Sequence, residues 1–124
     1  MTTIERAKRL LQWNRKNLVH DAVLNKGEIG DYFAPVFQVK ANGRTYDANY
    51  DNYFDFLNQF RATIRSIHYD LHELIEDKNY AVLAMTAHII RTSGVLEKFE
   101  AILILKFDAH GKITLWHEVY FKIA

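Results

Sequence analysis

At 124 residues and 14.6 kDa, with 49% hydrophobic and 25% charged residues, the chain has the size and composition of one globular domain, 1–124, and of neither a disordered nor a collagen-like chain. A formal charge of +1, from 16 basic and 15 acidic residues, lacks the basic excess of a general nucleic-acid binder, and the absence of cysteine removes disulfides, thiolate metal sites and cysteine nucleophiles. No apolar run approaches the roughly 18 residues of a membrane span and the opening MTTIERAKRL is polar, so a cytoplasmic chain without membrane contact is expected.

In residues 3–25 the apolar positions Ile4, Ala7, Leu11, Leu18 and Ala22 recur at helical spacing with basic residues between them, which predicts a long amphipathic helix with a solvated basic face. Asn25, Lys26 and Gly27 stop it. Glu28 to Phe33 reads as a short second helix ended by Pro35, because the residue before proline is pushed out of the helical region. Val36–Lys40 and Arg44–Tyr46 flank Asn42-Gly43, a pair suited to the positive φ angles of a tight hairpin turn. Asn49 is a plausible N-cap for a third helix, along which Tyr53, Phe54, Leu57, Phe60 and Ile64 recur at three- and four-residue intervals. Four runs rich in β-branched and apolar residues follow, 66–76, 79–91, 95–107 and 112–122, joined by short turn signals as antiparallel neighbours. This order predicts an α+β domain, with three helices covering the concave face of a curved, mostly antiparallel sheet.

Side chains alternate across a strand, and in 82–91 and 113–121 neither alternate set is simply polar. A sheet covered by helices on one side needs one apolar face. The second, including Met85, Ala87, Ile102, Ile104, Val119 and Phe121, is therefore expected to meet another copy of the chain in a homodimer. His68, Asp70 and His72 alternate on one strand face. Side chains two residues apart stand roughly 6 to 7 Å apart along a strand, too far for one ion to take all three without a bulge, so a solvated polar face is the better reading and no metal is expected. No nucleophile elbow, phosphate loop or dinucleotide fingerprint occurs, and no cofactor is expected.

The string FDAHGKITLWHEVYF at 107–121, with weaker echoes in NKGE at 25–28 and YFAP at 32–35, resembles the nuclear transport factor 2-like superfamily and within it the SnoaL-like group. That group includes polyketide cyclases, limonene epoxide hydrolase and steroid delta-isomerase. The resemblance implies a cone whose concave sheet face and helices enclose an apolar pocket. GKITLWHE is similar to the epoxide hydrolase segment Gly-Lys-Ile-Thr-x-Trp-Arg-Asp, which puts Glu118 where that enzyme keeps a pocket carboxylate. Its partner Arg and Asp fall on Thr86 and His88, so epoxide hydrolysis by the family mechanism is not implied. The isomerase apparatus falls near His20, Lys40 or Ala41, and Leu103, and does not carry over either.

The same resemblance implies that Thr86, His88, Phe99, Ala101, Trp116, Glu118 and Tyr120 line the concave side. Tyr32, Tyr46 and Tyr53, on the hairpin and helix, either supply hydroxyls at the pocket mouth or simply bury their rings and reach water with their tips. Aromatic residues at such spacings also build solid cores, so a filled cone is the competing reading. His88 and Glu118 are the candidate acid/base pair, or else a buried hydrogen bond that satisfies both side chains and does nothing more. Two functions stay open. One is a cofactor-independent catalyst of isomerase or cyclase type acting on a small apolar ligand; the other is a non-catalytic ligand-binding or dimerising module.

Overall fold

The computed structural model describes residues 1–124. Helix α1 (Thr3–Asn17) opens with a capping box, in which Thr2 accepts from the Glu5 amide and Glu5 accepts from the Thr2 amide. It ends well short of the expected residue 25. Asn17 donates its side-chain amide to the Trp13 carbonyl at 3.0 Å, and the His20 amide donates to the Ile64 carbonyl. Arg61 then donates to the carbonyls of Val19 and Ala22, taking up acceptors that a helix would have used internally. Tertiary hydrogen bonds thus override a helical periodicity that continues in the sequence.

The second helix is a 3-10 turn (Lys26–Asp31), capped by Asn25, and Phe33 already belongs to strand β1 (Phe33–Ala41). Pro35 therefore lies within a strand and does not terminate a helix. Pairing between β1 and β6 shifts register between Phe33 and Gln38, and pairing to β2 starts only at Val36, so the missing proline N–H falls outside the regular ladders. Strand β2 (Arg44–Asn49) follows a two-residue turn in which Asn42 (φ 49°) and Gly43 (φ 84°) both adopt the left-handed conformation. Helix α2 (Tyr50–Arg61) starts at the expected cap, Asn49, which exchanges side-chain and backbone hydrogen bonds with Asn52. It stops before Ile64, which is fully buried at the head of β3.

Strands β3 (Ile64–Glu76), β4 (Tyr80–Arg91), β5 (Leu96–Phe107) and β6 (Ile113–Lys122) pair antiparallel in sequence order. The β1–β2 hairpin adds to the outside of β6, with β1 parallel to it, giving one six-stranded sheet ordered β2-β1-β6-β5-β4-β3. This is the expected α+β architecture, a curved sheet that remains open. The core lies between α1 (Ala7, Leu10, Leu11) and the inward residues of β4 and β5 (Leu83, Met85, Leu103, Leu105). Rings of Phe33, Phe37 and Tyr53 pack within 4.5–5.0 Å of one another beside it. No helix is long and apolar enough to cross a membrane.

Candidate functional site

Residues directly opposite in neighbouring strands point to the same face. Glu118 pairs with Leu103 and, across β1, with Ala41; Trp116 pairs with Leu105 and Val39; Tyr120 pairs with Ala101. Since Leu103, Leu105 and Ala101 are buried beneath the helices, Trp116, Glu118 and Tyr120 share the concave face. Phe99 joins them, its ring 6.1 Å from that of Tyr120 in an edge-on arrangement.

Thr86 and His88 do not. The buried residues of β4 are Ala81, Leu83, Met85, Ala87 and Ile89, so the even-numbered set points outward. A single-residue phase difference in this strand moves every side chain to the other face, and an apolar set on each side leaves the phase open in sequence. Met85 and Ala87, expected on the outer apolar surface, are correspondingly in the core. The acid/base pair of His88 with Glu118 is thus not formed, because the sheet separates them. His88 Nε2 instead meets Asp70 Oδ2 at 2.7 Å, and His68 Nε2 meets Asp70 Oδ1 at 3.0 Å. Beside them His72 Nε2 lies 2.7 Å from the Thr86 hydroxyl. These side chains do not form a metal-binding group.

Glu118 is the chemically distinctive residue of the inner face. Burial pushes its carboxyl up to about 7, an effect the neighbouring Trp116 side chain partly opposes, and none of the protein's ion pairs includes it. Burial also raises the hydroxyls of Tyr53 and Tyr69, and the charge of Glu118 pushes both further up, so the carboxylate acts on both rings. Asn14, buried on α1, opposes that shift at Tyr69. Tyr46 brings a hydroxyl close to Tyr53, and that hydroxyl is buried without any hydrogen-bond partner. The arrangement is one carboxyl poised between its two protonation states, surrounded by indole and phenol groups.

The hairpin fixes this part of β6. Asn42 donates its amide N–H to the Glu118 carbonyl, and its side chain exchanges two hydrogen bonds with the backbone of Tyr120. Tyr53 is buried on α2, and Phe56 and Phe60 continue its aromatic row outward to half-exposed positions. Tyr32 is elsewhere, at the junction of α1 and the 3-10 turn, with Trp13 at 5.8 Å and Arg9 over its ring. Two surface cavities, of about 440 and 180 Å³, are lined by neither Glu118 nor Trp116, Tyr53 or Tyr46. The larger is a polar cleft near Arg6, Asp77 and Asp108, the smaller a groove between α1 and β3 beside Arg15 and Tyr69.

Asn14 and Tyr69 were not singled out from sequence, although both carried a signal. Asn14 interrupts the stripe Ala7-Leu10-Leu11-Leu18 with a polar group at a core position, and Tyr69 shares the alternation of Ile67 and Leu71.

The open, six-stranded α+β sheet with helices on its concave face is a fold shared with solved structures of nuclear transport factor 2-like proteins. A candidate polyketide cyclase from Acidithiobacillus ferrooxidans superposes with a TM-score of 0.73 at 17% identity, over 94% of this chain and 87% of its own. A candidate isomerase from Rhodopseudomonas palustris gives 0.75 at 12% identity, over 97% and 90%. A candidate SnoaL-like polyketide cyclase from Jannaschia sp. CCS1 gives 0.70 at 8% identity, over 97% and 84%. At these identities the likeness is one of fold. No curated protein sequence matches the chain. The SnoaL-like domain model matches residues 13–116, and the chain belongs to that family.

Proposed function

We propose that this protein binds a small apolar molecule against the concave sheet face and exchanges a proton with it through Glu118. The observation that carries the reading is a buried carboxyl without a cationic partner, held near neutrality by its surroundings. Ionised, Glu118 accepts a proton from a carbon next to a carbonyl; protonated, it returns one to the resulting enolate. The partnerless hydroxyl of Tyr46 supplies a donor for a ligand oxygen. Phe99, Trp116 and Tyr120 supply apolar wall. His88 and Thr86 have no part in this reading, since they face away.

The test uses a panel of small cyclic ketones in deuterated buffer, with Trp116 fluorescence reporting binding in a Trp13→Phe background and proton NMR reporting exchange at the α-carbon. Saturable quenching with exchange that is lost in Glu118→Gln supports the catalyst. Saturable quenching without exchange supports the binding module instead. Neither signal means that both forms of the reading fail.

The outer sheet face favours a second element of the reading, self-association. Ile102, Val119 and Phe121 are 44%, 57% and 58% exposed; Ala84 pairs with Ile102, and Ile104, two residues further along β5, shares the face. Asp70, Glu73 and Glu100, against Lys98, lie toward one end of this stripe, and Lys40 and Lys106, against Asp47, toward the other, so the first end is net acidic and the second net basic. A two-fold axis near Ile102 and Val119 would lay the acidic end of one copy on the basic end of the next, so we assign this face to a homodimer. Ile104→Asp and Val119→Lys should each leave a monomer in sedimentation velocity at micromolar concentration, by placing an uncompensated charge in an apolar contact.

A further inference from the structure

Four of the six histidines lie on the outer face of the sheet: His68 and His72 on β3, His88 on β4 and His117 on β6. His68 and His88 are directly opposed across the two strands, their rings 6.0 Å apart, and each places Nε2 on a different oxygen of the same carboxylate, Asp70. We propose that association through this face is proton-gated, with protonation of His68 and His88 around Asp70 separating the two copies. The inference rests on the homodimer reading above and adds its control.

The charges on the face make the direction of the effect definite. Asp47, Asp70, Glu73 and Glu100 stand against Lys40, Lys98 and Lys106, a near balance while the imidazoles are neutral. The groups facing the His68–His88 pair are Asp70, Glu73 and His72 on β3, and Lys98 and Glu100 on β5. Histidine is the side chain that ordinarily gains its charge between about pH 8 and about pH 5, a range in which carboxylates stay ionised. Asp70 is held further down by its hydrogen bonds to His88 and His68, so it stays anionic while they charge. One carboxylate cannot neutralise two imidazolium rings. The acidic end, three carboxylates against Lys98, loses its net negative charge when both rings are protonated, and with it the attraction that in the two-fold arrangement holds it on the basic end of the other copy. His117, beside Ile104 within the stripe, adds a charge where the contact is most apolar.

The test is sedimentation velocity over a concentration series at about pH 8 and about pH 5.5, on the wild type and on a His68→Gln/His88→Gln double variant, whose positions on the outer face leave the core untouched. The expected result is a wild-type dimer at the higher pH whose dissociation constant rises roughly tenfold or more at the lower. Most of that rise is lost in the double variant, and near-ultraviolet circular dichroism is retained throughout. An equal dissociation constant at both pH values overturns the proton gate and leaves the dimer standing. An equal rise in the double variant, or dissociation only where the circular dichroism collapses, also overturns it. A monomer at the higher pH overturns the dimer and the gate together.

Discussion

Asn42 and Tyr120 hold each other by reciprocal hydrogen bonds: the Asn42 side-chain amide donates to the Tyr120 carbonyl at 2.9 Å, and the Tyr120 amide donates back to Asn42 Oδ1 at 2.8 Å. One hairpin-turn residue thereby imitates a strand and extends the β1–β6 ladder by a step beyond Ala41 and Glu118. It can do so because asparagine tolerates the left-handed backbone and carries an amide of peptide geometry.

Replacing it separates the two roles. Asn42→Gly keeps the backbone conformation but loses both side-chain bonds, and should cost about 1–2 kcal/mol in urea unfolding. Asn42→Ala adds the strain of a positive φ and should cost about 1 kcal/mol more. Both variants should speed amide exchange at Tyr120.

Glu118 makes stability depend on pH with a definite sign. Its folded-state value, about 7, lies above the unfolded value near 4.5, so its contribution is complete below about 4.5 and is lost as pH rises through 7. A gap of two to three units corresponds to about 3 kcal/mol. Glu118→Gln, which resembles the protonated acid, should remove this slope and be the more stable protein at about pH 8 by up to that amount. Urea midpoints measured across the pH range check this; parallel curves for the two proteins would contradict it.

Tyr46→Phe should act in opposite directions on folding and binding. Removing a buried hydroxyl that has no partner should stabilise the free protein by about 1 kcal/mol, whereas any ligand that uses that donor should bind roughly tenfold more weakly. Thermal melts with and without a binding ketone resolve the two effects.

Arg61→Met keeps the apolar stem and removes the guanidinium that holds the Val19 and Ala22 carbonyls. A loss of about 1–3 kcal/mol is expected, with faster hydrogen exchange over the 18–25 segment and little change in α2 beyond its last turn.

The element order was legible because each element announces itself locally: Asn49 as a cap, Asn42-Gly43 as a turn, and four apolar runs with short connections. What was not legible depends on contacts distant in sequence. The end of α1 is set by Asn17, His20 and Arg61, the last bonding from α2. The phase of β4 was ambiguous because Val82 and Ala84 are as apolar as Leu83 and Met85, so periodicity gave no vote on which set is buried. At the site, Glu118, Trp116, Phe99, Ala101 and Tyr120 do share the concave face, because the odd residues of β5 pair with the even residues of β6; Thr86 and His88 miss it by a single step in β4.

The place of β1 in the sheet has a consequence for how the chain reaches its fold. The β1–β2 hairpin is local and closes early, on the microsecond scale of hairpins, but its only other strand neighbour is β6, so Ala41 must wait for Glu118. Until β6 has left the ribosome and paired with β5, the apolar side of β1, Phe37 and Val39, has no sheet to join. The antiparallel β3–β4–β5 meander, built from neighbours in sequence, is free to assemble first. This topology predicts that docking of a preformed hairpin onto β6 comes last, at the step that also brings the aromatic wall around Glu118.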